Sequence, residues 1–243
     1  MGGGSVDLSG KLVLVTGATR GIGRAVAIAA AAAGAELIIT GRTVGALEEA
    51  DDAIRAAGGR STMVELDMKD TPAIPRLAAA IAGRWERLDG FVANAAMLPA
   101  LTPVTHLTPE AWDESVAVNL TGQWHMIRAL DPLLRASPAG RAVLVTSGAA
   151  VGSHPFWGPY AATKAALEAV GRSWAGESEQ TNLRINMLNP GGTATKMRAS
   201  AFPGENPETL PSPEDIAPVF LALLATDCTH HGELVDARAM LGL

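Results

Sequence analysis

Three polar residues in the second half of the chain have the types and spacing of a proton-transfer site. Tyr160 and Lys164 are four residues apart, so on a helix their side chains lie on one face, and Ser147 directly follows an apolar run of strand length. A free phenol has a pKa near ~10, and an ammonium group about 4 Å away is expected to lower that pKa by about three pH units. The pattern predicts that Tyr160 exchanges a proton with a carbonyl oxygen, which the Ser147 hydroxyl holds by a hydrogen bond. Taken alone, a Tyr-x-x-x-Lys pair is more often a surface pair on a helix.

A glycine-rich turn near the start of the chain has the position of a phosphate-binding loop. An apolar strand runs into Gly17, Gly21 and Gly23, with the spacing Gly-x-x-x-Gly-x-Gly, and a helix begins there. Glycines permit a tight turn and a close approach of the backbone to a pyrophosphate. The free N–H groups at the start of the helix stabilise the negative charge of that pyrophosphate. The turn predicts a dinucleotide site, and the alternative is a turn with a purely structural role.

The end of the second predicted strand indicates which dinucleotide is bound. An NAD site is expected to have an acidic residue there, but the chain has Thr40-Gly41-Arg42, and Glu36 lies at the opposite end of the strand. Arg42 and Arg20 are expected to hold a 2′-phosphate by charge-assisted hydrogen bonds, unless both are ordinary solvated arginines. The sequence therefore predicts NADP(H), with NAD(H) less favoured.

Strand-length apolar runs alternate with helical segments along the chain. The predicted strands cover residues 11–16, 36–40, 61–66, 90–93, 141–146, 184–188 and 233–235. The predicted helices run from the glycine turn to residue 33 and over 44–57, 71–85, 109–134, about 160–179 and 213–225. Continuous apolar runs predict strands that are covered on both faces, and helical crossovers make them parallel. We therefore expect an α/β fold with a single doubly wound, seven-stranded parallel sheet, in one domain over residues 1–243 without linkers or repeats.

Three helix starts are signalled by a hydroxyl residue followed by proline. These pairs are Thr71-Pro72, Thr108-Pro109 and Ser212-Pro213. In each, the hydroxyl is predicted to cap the helix and the proline to occupy its first position.

Composition and charge limit the classes of partner. The chain has 243 residues with a formal net charge of −6, so nucleic acid and anionic membranes are not expected as partners. No signal peptide or membrane-spanning run is expected, and the single cysteine, Cys228, excludes an internal disulfide. These features are typical of a cytoplasmic protein.

Several motifs in register make the sequence resemble the short-chain dehydrogenase/reductase family over nearly its whole length. The matching pieces are the glycine turn, Asn94-Ala95-Ala96, Asn119, Ser147, Tyr160 to Lys164, and Pro190-Gly191. The resemblance implies a Rossmann-type fold and reversible hydride transfer between a nicotinamide cofactor and a small-molecule carbonyl or alcohol. It also implies a homodimer or homotetramer built on the helices predicted over 109–134 and 160–179. Trp112, Trp124 and Met126 in the first of these helices fit either the core or an interface.

The resemblance assigns a role to each matching residue. Tyr160 is the acid/base, Lys164 tunes it and binds the nicotinamide ribose, Ser147 orients the substrate oxygen, and Asn119 supports a water-mediated proton relay. The cofactor-binding residues are expected to be Gly17, Thr19, Arg20, Gly21, Ile22, Gly23, Arg42, Asp67, Met68, Asn94, Ala95, Tyr160, Lys164, Pro190, Gly191 and Thr193. Two departures from the family pattern are Ala96, where a glycine is usual, and a C-terminus without the usual glycine pair.

The substrate end of the predicted site is less well defined. Residues 192–211 show no periodicity, which is typical of a lid loop, and Met197 and Phe202 in it are candidates for apolar contacts. Lys196 or Arg198 either meets an acidic group of the substrate or is solvated. His154 and Trp157 are expected at the pocket rim, although Trp157 equally fits a cover for the sheet edge.

Other classes of protein fit less well. Ser147 lacks the Gly-x-Ser-x-Gly elbow of a hydrolase, and Cys228, His230 and His231 lack zinc-ligand spacing, so no metal site is expected. The remaining rival is a sensor that binds NADP(H) without turnover. Because a sensor has no need of an acid/base tyrosine beside a lysine, the enzyme is favoured.

Overall fold

The computed structural model describes residues 6–242, which alternate between strands and helices. The strands are β1 Leu12–Thr16, β2 Glu36–Gly41, β3 Arg60–Glu65, β4 Gly90–Ala93, β5 Arg141–Val145, β6 Arg184–Asn189 and β7 Leu234–Asp236. The α-helices are α1 Gly21–Ala32, α2 Val44–Ala56, α3 Ala73–Trp85, α4 Pro109–Val116, α5 Gly122–Ala136, α6 Gly158–Gly176, α7 Lys196–Ala201, α8 Pro213–Leu224 and α9 Ala237–Leu241. None of the helices within residues 6–242 has the length and apolar character needed to cross a membrane.

The strands form one parallel sheet in the order β3-β2-β1-β4-β5-β6-β7. The strand order reverses between β1 and β4, and in doubly wound sheets ligands bind at such a reversal, outside the carboxyl ends of the strands. The predicted fold class is therefore confirmed, and the glycine turn after β1 and Ser147 after β5 lie at the same edge of the sheet.

Each face of the sheet is covered by its own layer of helices. Alternate residues of β1 point to opposite faces, so Val13 packs with α1, α2 and α8, whereas Leu14 packs with α3, α5 and α6. The expectation that every strand is covered on both faces is wrong for β3. This strand is at the edge of the sheet, and Met63 is 41% exposed.

The helix predicted over 109–134 is interrupted in its middle. Residues Ala117–Thr121 form a π-helical turn between α4 and α5. Within this turn the Asn119 side chain accepts a hydrogen bond from Met97 N at 2.8 Å and donates one to Met97 O at 2.9 Å. The wider turn accommodates a side chain that is held on the sheet side of the helix, and such turns are frequent at functional sites.

Two of the three predicted helix caps are confirmed. The hydroxyls of Thr108 and Ser212 accept hydrogen bonds from the first turns of α4 and α8. The prediction for Thr71 is wrong, because α3 begins at Ala73. The N–H of Ala73 is instead accepted by Asp70 Oδ1 at 3.2 Å, so an aspartate one residue earlier caps this start.

The segment predicted as an irregular lid contains regular structure. Thr195 caps α7, its hydroxyl accepting from Arg198 N at 3.2 Å, and a short 3₁₀ helix covers Pro207–Thr209. The capping residue directly before a short helix was the available signal for α7. The lid is thus a structured element between β6 and α8.

Candidate active site

The glycine turn between β1 and α1 has a backbone conformation that favours glycine. Gly17 and Gly21 have positive φ angles of 65° and 55°. A Cβ on Gly23 would lie 2.5 Å from the carbonyl oxygen of Gly17 and 2.4 Å from Asn94 Nδ2, so a side chain there is excluded. The start of α1 therefore stays close to the end of β1, which leaves room for a pyrophosphate to approach the backbone.

Asn94 and Thr16 hold this turn against the end of β4. The Thr16 hydroxyl accepts hydrogen bonds from the backbone N–H groups of Asn94 and Ala95, both at 3.0 Å. Asn94 Nδ2 donates to the carbonyl oxygens of Thr16 at 2.9 Å and Gly17 at 3.2 Å. The hydrogen bonds of Asn94 and Ala95 therefore join the end of β1 to the end of β4, where the strand order reverses.

The start of α1 fits an anionic group. Arg20, at the N-cap position, makes no side-chain hydrogen bond to the first turn of the helix, so the N–H groups of that turn are not capped by a side chain. Anions are stabilised at such a helix start by the N–H groups and by the helix dipole. Together with the exclusion of a side chain at Gly23, this geometry suits a dinucleotide phosphate.

The end of β2 packs directly against the glycine turn. Ala18 N donates to Thr40 O at 3.0 Å, and a Cβ on Gly41 would lie 2.4 Å from the Thr19 methyl group. Arg20 directly follows Thr19 in the chain, and Arg42 directly follows Gly41. Both are exposed, and neither makes an ion pair with another group in residues 6–242. Their positions suit the predicted 2′-phosphate clamp.

The predicted proton-transfer residues meet where β5 ends against α6. Tyr160 and Lys164 lie on the first turns of α6 and are 7% and 1% exposed. Lys164 Nζ donates to Val145 O, the last residue of β5, at 2.7 Å, and lies 5.7 Å from the centre of the Tyr160 ring. Ser147, two residues after Val145, caps a short 3₁₀ turn at Gly148–Ala150. The structure therefore brings these three residues together, as predicted.

The pKa values of this pair differ from the expectation. Burial raises the pKa of Tyr160, and a hydrogen bond with the Ser147 hydroxyl opposes this effect only in part. Burial lowers the pKa of Lys164 to about 8. The predicted lowering of the Tyr160 pKa by a lysine about 4 Å away is wrong, because the ammonium group is directed to the carbonyl of Val145. Tyr160 is thus a protonated phenol at neutral pH, which is the form that donates a proton.

Asn119 connects the π-helical turn to the same helix. Besides its two bonds to Met97, Asn119 Nδ2 contacts the Thr163 hydroxyl at 3.3 Å, and that hydroxyl donates to Tyr160 O at 2.9 Å. Asn119 is completely buried. Its amide group therefore links the loop after β4 to the helix that carries Tyr160.

A model of the short chain dehydrogenase family matches residues 11–206, which include all of these motifs. The chain belongs to the short chain dehydrogenase family. This short chain dehydrogenase is 38% identical over 223 residues to the uncharacterised oxidoreductase YciK of Escherichia coli K12, covering 90% of this chain and 88% of YciK.

Two further relatives bear on the cofactor. A crystal structure of a short chain dehydrogenase from Escherichia coli CFT073 in complex with NADPH has a TM-score of 0.93 and 36% identity, covering 97% of this chain and 99% of that one. An uncharacterised NAD-dependent oxidoreductase, Rv0687 of Mycobacterium tuberculosis, is 35% identical over 209 residues, covering 80% of this chain and 75% of its own. Relatives with both cofactor descriptions therefore exist.

The remaining predicted cofactor residues of this short chain dehydrogenase line the same sheet edge. Asp67 follows β3 and accepts from Lys69 N at 2.9 Å, and Met68 is buried beneath α5. Pro190 and Thr193 are buried after β6. Gly191 has a φ of 71°, and a Cβ there would lie 2.6 Å from Arg238 Cδ. The family departure at the C-terminus thus places an arginine against this turn.

Aromatic side chains pack against each other next to Tyr160. The Trp157 ring lies 5.7 Å from the Tyr160 ring and 5.8 Å from that of Phe202 on the lid. Arg198 stacks on Phe202 at 3.8 Å and pairs with both oxygens of Glu205 at 2.6 and 2.7 Å. Arg198 is therefore occupied within the lid, whereas Lys196 is exposed. Trp157 and Phe202 pack on each other, so a substrate ring does not fit between them.

The remaining predicted substrate residues are His154 at the rim and Met197 in the lid. His154 is exposed, and its Nε2 contacts Val151 O at 2.9 Å, so its ring is turned back to its own loop. The prediction that His154 lines the pocket is therefore not supported by its position. Met197 is half-buried on α7, next to the capping residue Thr195.

Sequence reasoning missed three supporting side chains. Gln123, one turn after Asn119, is fully buried and donates to Ala95 O at 2.5 Å. Glu168, one turn after Lys164, accepts from the hydroxyl of Thr146 at 2.6 Å and so ties α6 to the residue before Ser147. The Thr195 methyl group lies 3.4 Å from the position of a Cβ on Gly21, which brings the lid to the phosphate turn. The i, i+4 spacing to Asn119 and Lys164 was an available signal for the first two.

Proposed function

We propose that this short chain dehydrogenase is an NADP(H)-dependent enzyme that interconverts a small-molecule carbonyl and the corresponding alcohol. One observation carries the proposal: Ser147, Tyr160 and Lys164 meet at the sheet edge that also holds the glycine turn. A phenol, a hydroxyl and an ammonium group beside a phosphate-binding turn are the groups that carbonyl reduction requires.

The cofactor would be held by the elements around the strand reversal. The turn from Gly17 to Gly23 and the N–H groups of α1 suit the pyrophosphate, and Arg20 with Arg42 suits a 2′-phosphate. Asp67 and Asn94 would flank the adenosine, and the Pro190 turn the nicotinamide. NADP(H) supplies or accepts the hydride. The NADPH complex of the similar E. coli protein supports this choice over NAD(H).

The chain's own residues handle the proton. Because burial raises the pKa of Tyr160, the phenol is protonated at neutral pH and donates to the substrate oxygen during reduction. Ser147 holds that oxygen by a hydrogen bond. Lys164 has a pKa of about 8 and so is mostly cationic at pH 7, which favours the phenolate that forms as the proton leaves. The hydrogen bonds of Asn119 hold the loop after β4 against α6, so that a proton can return to Tyr160 along a fixed path.

The surroundings indicate the class of substrate and the assembly. Trp157 next to Tyr160 supplies an apolar wall, so the substrate is a small molecule with an apolar part.

Trp112 and Trp124 on α4 and α5 are each 44% exposed, which supports a homo-oligomer formed through these helices, a dimer or a tetramer. The free thiol of Cys228 is compatible with a cytoplasmic protein.

Substitution of Tyr160 by phenylalanine tests the proposal. Tyr160→Phe removes one oxygen and keeps the ring against Trp157, so the protein is expected to fold and to bind NADPH as before. Turnover with a panel of aromatic and aliphatic ketones is expected to fall by about 10²-fold or more, because the proton donor is lost. Trp157→Phe, which keeps an aromatic ring and the phenol, is the matched control. Undiminished turnover in Tyr160→Phe would refute the mechanism, and absence of turnover in the parent protein across the panel would favour a sensor.

A further inference from the structure

A cleft lies at the end of the sheet where the strands begin, opposite to the end that carries the proposed active site. It has a volume of about 520 Å³ and lies among the amino ends of β1, β2, β3 and the segment before β4. Its charged and aromatic lining residues come from four separate chain segments: Lys11, Glu36, Arg60, Trp85, Arg87 and Asp89. A cleft of this volume suits a small organic molecule.

The charges in the cleft leave one cation without a partner. Glu36 Oε2 accepts from the Arg60 guanidinium at 2.8 Å, and Asp89 Oδ1 from Arg87 Nε at 3.1 Å. Asp89 also accepts from Ser137 Oγ and from Leu12 N, so three donors already share its two oxygens. The Lys11 ammonium makes no ion pair or hydrogen bond with any other group in residues 6–242.

The position of Lys11 makes an added anion favourable. Burial lowers the pKa of Lys11; the Asp89 carboxylate opposes this effect, and the guanidinium groups of Arg141 and Arg87 reinforce it. A half-buried cation with arginines nearby gains more from a bound anion than a solvated lysine does.

The helix ends at this edge do not compete for Lys11. The last carbonyls of α1 are bonded by Gly34 N at 2.9 Å and Ala35 N at 3.0 Å, and those of α2 by Gly58 N at 2.9 Å and Gly59 N at 3.0 Å. Both ends are Schellman motifs with glycine at positive φ. These four carbonyl groups are therefore already bonded and are not available to the Lys11 ammonium group.

We propose that this cleft is a second binding site, for a small organic anion with a planar apolar part. Lys11 holds the anionic group, and the Trp85 side chain, which lines the cleft, provides the apolar wall. The site is independent of the nicotinamide site, because the two lie at opposite ends of the strands.

Titration calorimetry with benzoate, benzamide and inorganic phosphate tests the site on the full chain saturated with NADPH. Benzoate is expected to bind saturably, and the neutral benzamide and the ringless phosphate at least about tenfold more weakly, since each lacks one of the two contacts. Lys11→Met is expected to weaken benzoate binding by about tenfold or more while turnover stays unchanged, and Lys11→Arg to retain binding. Lys69→Met, an exposed lysine at the other edge of the sheet, is the matched control.

Three results would overturn the proposal. They are the absence of saturable benzoate binding, equal binding of benzoate and benzamide, and benzoate binding that is unchanged in Lys11→Met. Benzoate binding that a ketone substrate displaces would place the anion in the active site and would overturn it as well.

Discussion

The buried ammonium group of Lys164 leads to a measurable effect on stability. Lys164 is 1% exposed, and its pKa falls from an ordinary 10.5 to about 8 because burial penalises the charged form. The unfolded chain therefore binds a proton at this residue between about pH 8 and about pH 10.5, whereas the folded chain does not. Folding stability is expected to rise with pH across this range, because the unfolded state binds more protons.

The magnitude follows from the difference between the two pKa values. Each pH unit of difference corresponds to about 1.4 kcal/mol, so the buried charge costs about 3 kcal/mol at pH 7. Lys164→Met removes the charge and keeps the length of the side chain. It also removes the bond to Val145 O, but that loss is nearly the same at every pH. The stability of the parent relative to Lys164→Met is therefore expected to rise by about 2 to 3 kcal/mol from pH 7 to pH 10.

Urea unfolding at a series of pH values, followed by tryptophan fluorescence, measures this difference. Tyr160 is present in both proteins, and burial raises its pKa, so its titration contributes nearly equally to both. The control is Lys69→Met. The Lys69 pKa is raised by its bond to Glu114, so the stability of the parent relative to this control is expected to fall, not rise, at high pH. A difference between parent and Lys164→Met that does not change with pH would refute the argument that burial sets the Lys164 pKa.

Two further predictions concern arginines. The double variant Arg20→Ala/Arg42→Ala is expected to bind NADPH about 10- to 100-fold more weakly and NADH as before, in titrations of nicotinamide fluorescence; an equal change for both cofactors would contradict the clamp. Arg141 is 4% exposed and donates to five carbonyl groups, three of them just after α8, and it has no carboxylate partner in residues 6–242. Arg141→Met is expected to lower the free energy of unfolding by about 3 kcal/mol or more, because several buried carbonyls lose their donor. The exposed Arg128→Met is the control, and equal stability of the two variants in urea would contradict this prediction.

Much of the fold was predictable because its signals are local. Alternating strand-length and helix-length apolar segments predicted the parallel sheet, and the chain positions of the glycine turn and Ser147 predicted which edge carries the site. The caps at Thr108 and Ser212 depend on neighbouring residues only, and they are confirmed. The cap at Thr71 failed because Asp70, one residue away, offers a stronger acceptor to the same helix start.

Other features depend on side-chain contacts that hydrophobic periodicity does not show. The π-helical turn exists because Asn119 bonds to Met97, 22 residues away, and periodicity carries no trace of that bond. The lid helix α7 was missed although its cap at Thr195 is a local signal, and the pairing of Arg198 with Glu205 was missed because an irregular pattern does not show which charges meet. His154 was assigned to the pocket by its place between two motifs, but the direction of its ring is set by Val151.

The sequence by itself determined the family, the order of the elements and the identity of the groups that meet at the active edge, because these follow from residue types and their spacing. The tertiary structure decided the protonation chemistry. The pKa values of Tyr160 and Lys164 depend on how much water each group has lost and on which partner it faces. Spacing placed Lys164 beside Tyr160, but the carbonyl at the end of β5 takes its ammonium group. Only the packing of α6 on the sheet brings that carbonyl within reach.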